Sequence, residues 1–355
     1  MRALRLIQVP TTVLKTFFCF AGSRRLLQAS PSCIQYTNPV LAVDFPDPSS
    51  PVDGGDGFYY IFATNAGTPI RNVQAARAPK SDLGSWTLLD YDALPFVHSW
   101  STLQGGFVWA PEVAFINGHF IMYITLHYTA QNRQAIGIAT SPTASGPYMP
   151  YDTGYPFISQ YGDLGALDAF PFLDSDGSWY MYWRAPGADG IIPHIYVQAM
   201  TPDGLSLTGI VSDLLAPSQP WEFFPGALIG VIEAPAVTKC YDNAAYCLFY
   251  SGNPTQTAAY STGVAVSSSP YGPFLKYPNN PLLLANGAGI LGPGGLSFML
   301  PGNGQTFAMY HSWDSTAYTA RVLNMVELSL NPGLPMSTNL EVSFVNPTWQ
   351  VPVCQ

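Results

Sequence analysis

"LDSDGSWYMYW", residues 173–183, decides the fold. An acidic, Gly-containing turn runs straight into an apolar stretch in which one aromatic is followed three places later by another. The same pattern recurs as YYIF from Tyr59, FIMY from Phe120, WYMY from Trp179, YCLF from Tyr246 and FAMY from Phe307. Successive starts differ by 61, 59, 67 and 61 residues, and each follows a turn signal: GGDG, NG, DSDG, DNAA or GNG. Each copy therefore reads as a strand, a tight turn and an apolar second strand. Five even repeats of this length predict an all-β, five-bladed propeller, with four-stranded antiparallel blades around a central funnel. Third and fourth strands are visible in "QAIGIATSPTASGPY" (134–148) and "GVAVSSSPYGPF" (263–274). A pair of β-sandwiches is the rival, and the even spacing argues against it.

Composition agrees. The chain has 355 residues, 48% hydrophobic and 14% aromatic, with 32 Gly and 33 Pro but no G-x-y period. That is enough apolar material for one large β unit rich in turns. The net charge is −9, and the densest basic spot is Arg24-Arg25, so a nucleic-acid partner is not expected. Aromatic-rich, charge-poor surfaces suit neutral polyols, although Tyr and Trp also simply fill β cores. Residues 1–30 begin with basic residues, continue in a mainly apolar stretch and end in small residues. They are expected to be a leader, with the propeller over 31–355, and Lys15, Pro10 and Arg24-Arg25 interrupt the apolar run. No other stretch is long and apolar enough to span a membrane as a helix. Cys19 falls in the leader. Cys33, Cys240, Cys247 and Cys354 form an even set, which suits an oxidising compartment. Bridges Cys240–Cys247 across a turn and Cys33–Cys354 at the chain ends are expected, with four free thiols as the alternative.

Eleven to thirteen residues before each aromatic pattern lies a common slot, occupied by Asp47, Trp109, Asp168, Glu233 and Gly295. A proline lies close by every time, in "DPSS", "WAPE", "DAFP", "EAPA" and "GPGG". In a propeller this slot starts the innermost strand, so the five side chains are expected to converge on the axis. Three carboxylates and a Trp have no packing reason to meet there. Asp44 reads as a rim residue, and Asp174 and Asp176 as turn residues. Two carboxyl groups flanking a glycosidic bond are the minimal kit for its hydrolysis: one protonates the leaving oxygen, the other attacks or activates water. A third beside the acid would keep it protonated by like-charge repulsion. Three carboxylates could instead hold Ca²⁺ through oxygen ligands, but no Asx-rich loop of calcium spacing accompanies them.

In these motifs the chain resembles glycoside hydrolase family 43, over residues 36–330. Members are five-bladed propellers that hydrolyse arabinose- and xylose-containing glycans with inversion. "FPDPSS" resembles the first-blade motif and implies Asp47 as general base. "LDAFPFLDSDGSWYMYW" implies Asp168 as the pKa-modulating Asp, and "IEAPAVTK" implies Glu233 as general acid. "FVWAPEV" implies Trp109 at the sugar, with Glu112 beside it. "ARVLNMVEL" implies Arg321 reaching the site. The neighbouring invertase-type propellers carry Arg before the third-blade Asp and Cys after the fourth-blade Glu; here Leu167 and Ala234 stand there. In many members a fifth-blade His holds an axial water or calcium. This chain has Gly295 in that slot, leaving His311 of "MYHSWD" as the substitute. No cofactor is required by the chemistry.

Trp100, Phe107, His127, Arg184 and Trp313 are candidates to line subsites, against core or rim roles. The reading is a secreted, monomeric, inverting hydrolase of α-L-arabinofuranosyl linkages in plant cell-wall arabinan or arabinoxylan. A β-xylosidase of the same family or a glycan-binding propeller without activity are the alternatives. A lectin has no use for three convergent carboxylates around a neutral sugar, since burying them costs desolvation.

Overall fold

The computed structural model describes residues 36–330 and 342–345, apart from 68, 102–106, 161, 163–164, 188–189, 241–242, 286–288, 303 and 315. The expected leader and the Cys33–Cys354 bridge lie outside the described residues. Twenty strands form five separate four-stranded antiparallel sheets, each built from one contiguous stretch of chain. The first strands of the blades are Val52–Asp53, Trp109–Ile116, Leu167–Leu173, Ile232–Cys240 and Leu291–Met299. They line the axis, and the five-bladed propeller read from the repeats is the fold observed. Among the described residues, the only helix is a 3₁₀ turn, Pro220–Glu222.

The second strands explain the repeat. Its third and fourth residues (Ile61 and Phe62, Met122 and Tyr123, Met181 and Tyr182, Leu248 and Phe249, Met309 and Tyr310) are fully buried in every blade. Successive side chains on a strand point to opposite faces. A blade covered by neighbours on both sides therefore needs apolar residues at consecutive positions, not alternate ones. In blade 2, Met122 packs with Phe62 of blade 1, and Tyr123 with Met181 of blade 3. Blade 5 is out of phase. There Met309 turns towards blade 1, and Tyr310 towards blade 4. A one-residue slip exchanges the faces of a strand, and the even spacing of the motifs conceals it.

Residues 36–45 close the ring against blade 5. Leu41 exchanges backbone hydrogen bonds with Leu323 at 3.4 and 3.2 Å, and the Phe45 amide donates to Arg321 O at 2.7 Å. Buried Asn38 acts as a side-chain clamp: its Nδ2 donates to Met325 O at 2.8 Å, and its Oδ1 accepts the Met325 amide at 2.9 Å. The expected Cys240–Cys247 disulfide is present, bracketing the turn between the first two strands of blade 4, with a Cα–Cα distance of 5.9 Å. Asn38→Ala would leave both Met325 groups buried and unpaired. It is expected to cost about 2–4 kcal/mol and lower Tm by several degrees in scanning calorimetry, with kcat unchanged.

Candidate active site

Each first strand has a left-handed residue near its start: Asp47 (φ 52°), Ala110 (41°), Asp168 (57°), Ala234 (50°) and Gly295 (58°), blade 5 having a second in Gly292 (54°). Register shifts in blades 2–5 mark bulges at or beside these points. A bulge re-aims the neighbouring side chains. In Asp47, Ala110, Asp168, Ala234 and Gly295 the amide turns out of its own strand and donates to a side chain of the preceding blade. Ala110 N–H donates to Thr64 Oγ1 at 2.8 Å, Asp168 N–H to Thr125 Oγ1 at 3.2 Å and Ala234 N–H to Asp168 Oδ2 at 3.0 Å. Gly295 N–H donates to Ser251 Oγ at 3.0 Å, and Asp47 N–H to His311 Nδ1 at 3.1 Å. Five hydrogen bonds thus run round the axis, each joining two blades.

This refines the common slot. Asp47, Asp168 and Gly295 are the left-handed residues themselves, whereas Trp109 and Glu233 each precede one. Neither is equivalent to the aspartates along the strand, yet the bulges bring Asp47, Trp109, Asp168 and Glu233 to one cleft of about 350 Å³. Thr64, Arg184, Tyr260 and Arg321 also line it.

Asp47 is held on both oxygens. Arg321 Nη1 lies 3.0 Å from Oδ1, and Thr64 Oγ1 donates to Oδ2 at 2.7 Å. Burial alone would raise its pKa, but the guanidinium and the hydroxyl outweigh burial and hold it below the usual 3.8. His311 adds no charge of its own: buried beside Arg321, its imidazole is pushed down to about 3 and stays neutral. Glu233 is also held twice, with Oε2 accepting Arg184 Nη1 at 2.6 Å and Oε1 accepting the Tyr260 hydroxyl at 2.8 Å. Asp168 has neither support. Burial first, and the Glu233 charge second, push it up to about 7 against the opposing pull of Arg184. The carboxylate whose pKa is lifted is thus Asp168.

The other expected residues divide. Phe107, 40% exposed, sits beside Trp109 with ring centroids 6.1 Å apart and beside His127 at 5.6 Å, forming an aromatic rim. Trp100 is a core residue, 7% exposed, packed on His98 and Tyr128 away from the cleft lining. Glu112 does not face the cleft. It lines a 40 Å³ axial cavity beneath the carboxylates, where both its oxygens accept the Ser50 amide at 2.9 and 3.0 Å. Burial without a cation pushes it up to about 8. Trp313 Nε1 donates to Thr255 O at 2.9 Å, tying the end of the second strand of blade 5 to a loop of blade 4. Asp44 Oδ1 accepts the Arg321 amide at 2.9 Å.

A calcium ion takes six to eight oxygen ligands. Among the described residues no group of three His, Cys, Asp or Glu is arranged to hold a metal. His311 Nε2 is buried without a partner, but its Nδ1 already accepts the Asp47 amide, which leaves the proton of the neutral ring on Nε2. The described side chains therefore do not fit a protein-built calcium cage.

Tyr260 and Thr64 were not singled out in the sequence. A signal for part of this set existed. Thr64, Thr125, Arg184 and Ser251 each stand five residues after the start of their aromatic pattern, and His311 stands four after, because blade 5 has slipped.

A propeller with three acidic side chains from three blades around one axial cleft, two of them gripped by arginines, has the architecture of a glycosidase. The chain belongs to glycosyl hydrolases family 43, which matches residues 36–331. It is 26% identical over 253 residues to an extracellular endo-α-(1→5)-L-arabinanase of Thermotoga petrophila, covering 61% of this chain and 48% of that protein, so it spans about half of that relative's length. It is 26% identical over 305 residues to a "Probable arabinan endo-1,5-alpha-L-arabinosidase A" of Aspergillus flavus, covering 79% of this chain and 86% of that one. A crystal structure of a thermostable family-43 glycoside hydrolase superposes with a TM-score of 0.72 at 28% identity, over 89% of this chain and 97% of that one.

Arg321 is the main force holding the Asp47 pKa down. Arg321→Met should therefore raise it, and carboxyl-¹³C NMR titration of Asp47 should show its midpoint moving to higher pH than in the unsubstituted protein.

Proposed function

We propose that the protein is a secreted, inverting hydrolase of α-L-arabinofuranosyl linkages in plant cell-wall arabinan. The carrying observation is the contrast between the acids. Asp47 is kept ionised by Arg321 and Thr64, whereas Asp168 is pushed towards its neutral form beside Glu233. Paired carboxyls with opposed environments divide base from acid. Asp47 takes a proton from water as that water attacks the anomeric carbon. Glu233 gives a proton to the leaving oxygen. Beside it, Asp168 retains its own proton up to near neutrality. The named substrates of the two curated relatives support arabinan. The extracellular relative and the Cys240–Cys247 bridge support secretion.

Incubation with linear arabinan, arabinoxylan and xylan, followed by product analysis, tests the substrate. Release of arabinose or arabino-oligosaccharides from arabinan is expected, and cleavage of xylan alone would refute the reading. An NMR time course should show product of inverted configuration first. Glu233→Gln should slow substrates with poor leaving groups by about 10²–10⁴-fold and dinitrophenyl glycosides much less. Asp47→Asn should slow both kinds alike.

The pH profile follows from the shifts. A base is active when ionised, and Asp47 is ionised above a pKa held below 3.8, so the acid limb of kcat/KM should lie below pH 3.8. Asp168 loses its proton around 7, so an alkaline limb is expected there. Asp168→Asn should remove a limb at that position. An unmoved limb in this variant would show that Asp168 does not set it.

A further inference from the structure

Tyr260 belongs to none of the sequence motifs, yet it touches the machinery of both catalytic carboxylates. It is 1% exposed and precedes the third strand of blade 4, Ser261–Ser267. Its hydroxyl donates to Glu233 Oε1 at 2.8 Å. Its ring lies parallel to His311, with centroids 5.7 Å apart and planes 5° apart. His311 Nδ1 accepts the Asp47 amide. An unbroken set of contacts, Glu233–Tyr260–His311–Asp47, therefore joins the proton donor on blade 4 to the base on blade 1 by way of blade 5.

Blade 5 is cut away to admit it. A Cβ added at Gly294 would lie 2.1 Å from Tyr260 Cε1, and one at Gly295 would lie 2.8 Å from His311 Nδ1. The two rings occupy the volume that side chains at positions 294 and 295 would otherwise fill. This gives the glycine in the fifth slot a physical reason, and the slip of blade 5 delivers His311 to the same place.

We propose that Tyr260 and His311, admitted by Gly294 and Gly295, form a spacer that fixes the distance and mutual orientation of Glu233 and Asp47, with Tyr260 as the positioning residue of the proton donor. The proposal rests on the acid and base roles given above. A glutamate has three rotatable bonds, and its last torsion is broad. Arg184 grips one oxygen only, so the carboxyl plane is set when Tyr260 holds the other. Tyrosine is a stiff two-torsion side chain with its own ring clamped by His311, so it transmits position rather than following it. The outcome of glycoside hydrolysis depends on carboxyl separation at the scale of a few ångströms, and misplacement by about 1 Å can cost about a hundredfold in rate.

The test uses Tyr260→Phe, Glu233→Gln and the double variant, each assayed on phenyl and 2,4-dinitrophenyl arabinosides or arabino-oligosaccharides. Tyr260→Phe keeps the stacked ring and removes only the hydroxyl. It should lower kcat on the phenyl substrate by about tenfold or more, lower it by under about threefold on the dinitrophenyl substrate, and leave KM little changed on either. Because Tyr260 acts through Glu233, adding Tyr260→Phe to Glu233→Gln should cost little further. Gly294→Ala, which displaces the ring while leaving Tyr260 in the sequence, should reproduce the leaving-group dependence; Tm is followed in all variants. Equal loss on both substrates in Tyr260→Phe, or full additivity in the double variant, would overturn the spacer. If Glu233→Gln alone slowed both substrates equally, the acid role of Glu233 would fail instead, and the two failures are thus distinguishable.

Discussion

The ring of five inter-blade hydrogen bonds at the top of the funnel is the constraint on which the site depends. A left-handed non-glycine residue costs about 1–3 kcal/mol, and Asp47, Ala110, Asp168 and Ala234 all adopt that conformation at equivalent places. Asp tolerates it better than most residues, whereas Ala110 and Ala234 have no polar side chain to compensate. What compensates is the amide of each, turned out to a side chain of the blade before it. The same turn leaves Trp109 and Glu233, one residue earlier, facing the cleft. Strain, blade cohesion and the aim of the functional groups are therefore one feature. Thr64 shows the economy: its hydroxyl donates to Asp47 and accepts from the Ala110 amide, so Asp47 and the blade 1–2 junction share one side chain.

Much of this could be read in the sequence. The repeat fixed blade number and blade boundaries because burial on both faces forces an apolar pair into every second strand. Asp47, Asp168 and Glu233 stood out because carboxylates at the start of an inner strand have no packing role. The one-residue offset of Trp109 and Glu233 was hidden, since a bulge adds a residue without changing composition. The slip of blade 5 was hidden for a similar reason: FAMY matches the pattern equally well in either phase. That slip is why His311 stands four residues into its pattern, where its Nδ1 accepts the Asp47 amide. Glu112 looked like a sugar ligand because it is next to Pro111 and Trp109, but the alternation of the strand sends it below the floor. Tyr260 had no motif, because its place comes from contacts with Glu233 of its own blade and with His311 and Gly294 of blade 5.

Anchoring extends beyond the funnel. Only 10% of the residues are charged, yet several acids are buried against cations. Glu222, fully buried, accepts Lys276 Nζ at 2.6 Å, the Gln219 amide at 2.8 Å and the Tyr250 hydroxyl at 2.8 Å. Its own carbonyl accepts the Val231 amide at 2.8 Å, two residues before Glu233. Trp221 beside it fills hollows left by Gly252 and Gly263, where an added Cβ would meet the indole at 2.5 and 2.6 Å. Removing one partner of such a buried pair costs about 3–5 kcal/mol. The loop that delivers Glu233 to the axis is thus fixed from its far end as well as by Arg184 and Tyr260.

The charges around the axis also balance. Four acids, Asp47, Asp168, Glu233 and Glu112, face two guanidinium groups, Arg184 and Arg321. Arg321 pairs with Asp47, and Arg184 with Glu233. The two acids left without a cation, Asp168 and Glu112, are the two pushed up, to about 7 and about 8. Below neutrality these two hold their protons, so no carboxylate without a cation stands ionised at the axis, and entry of an uncharged sugar does not strip water from an unpaired ion.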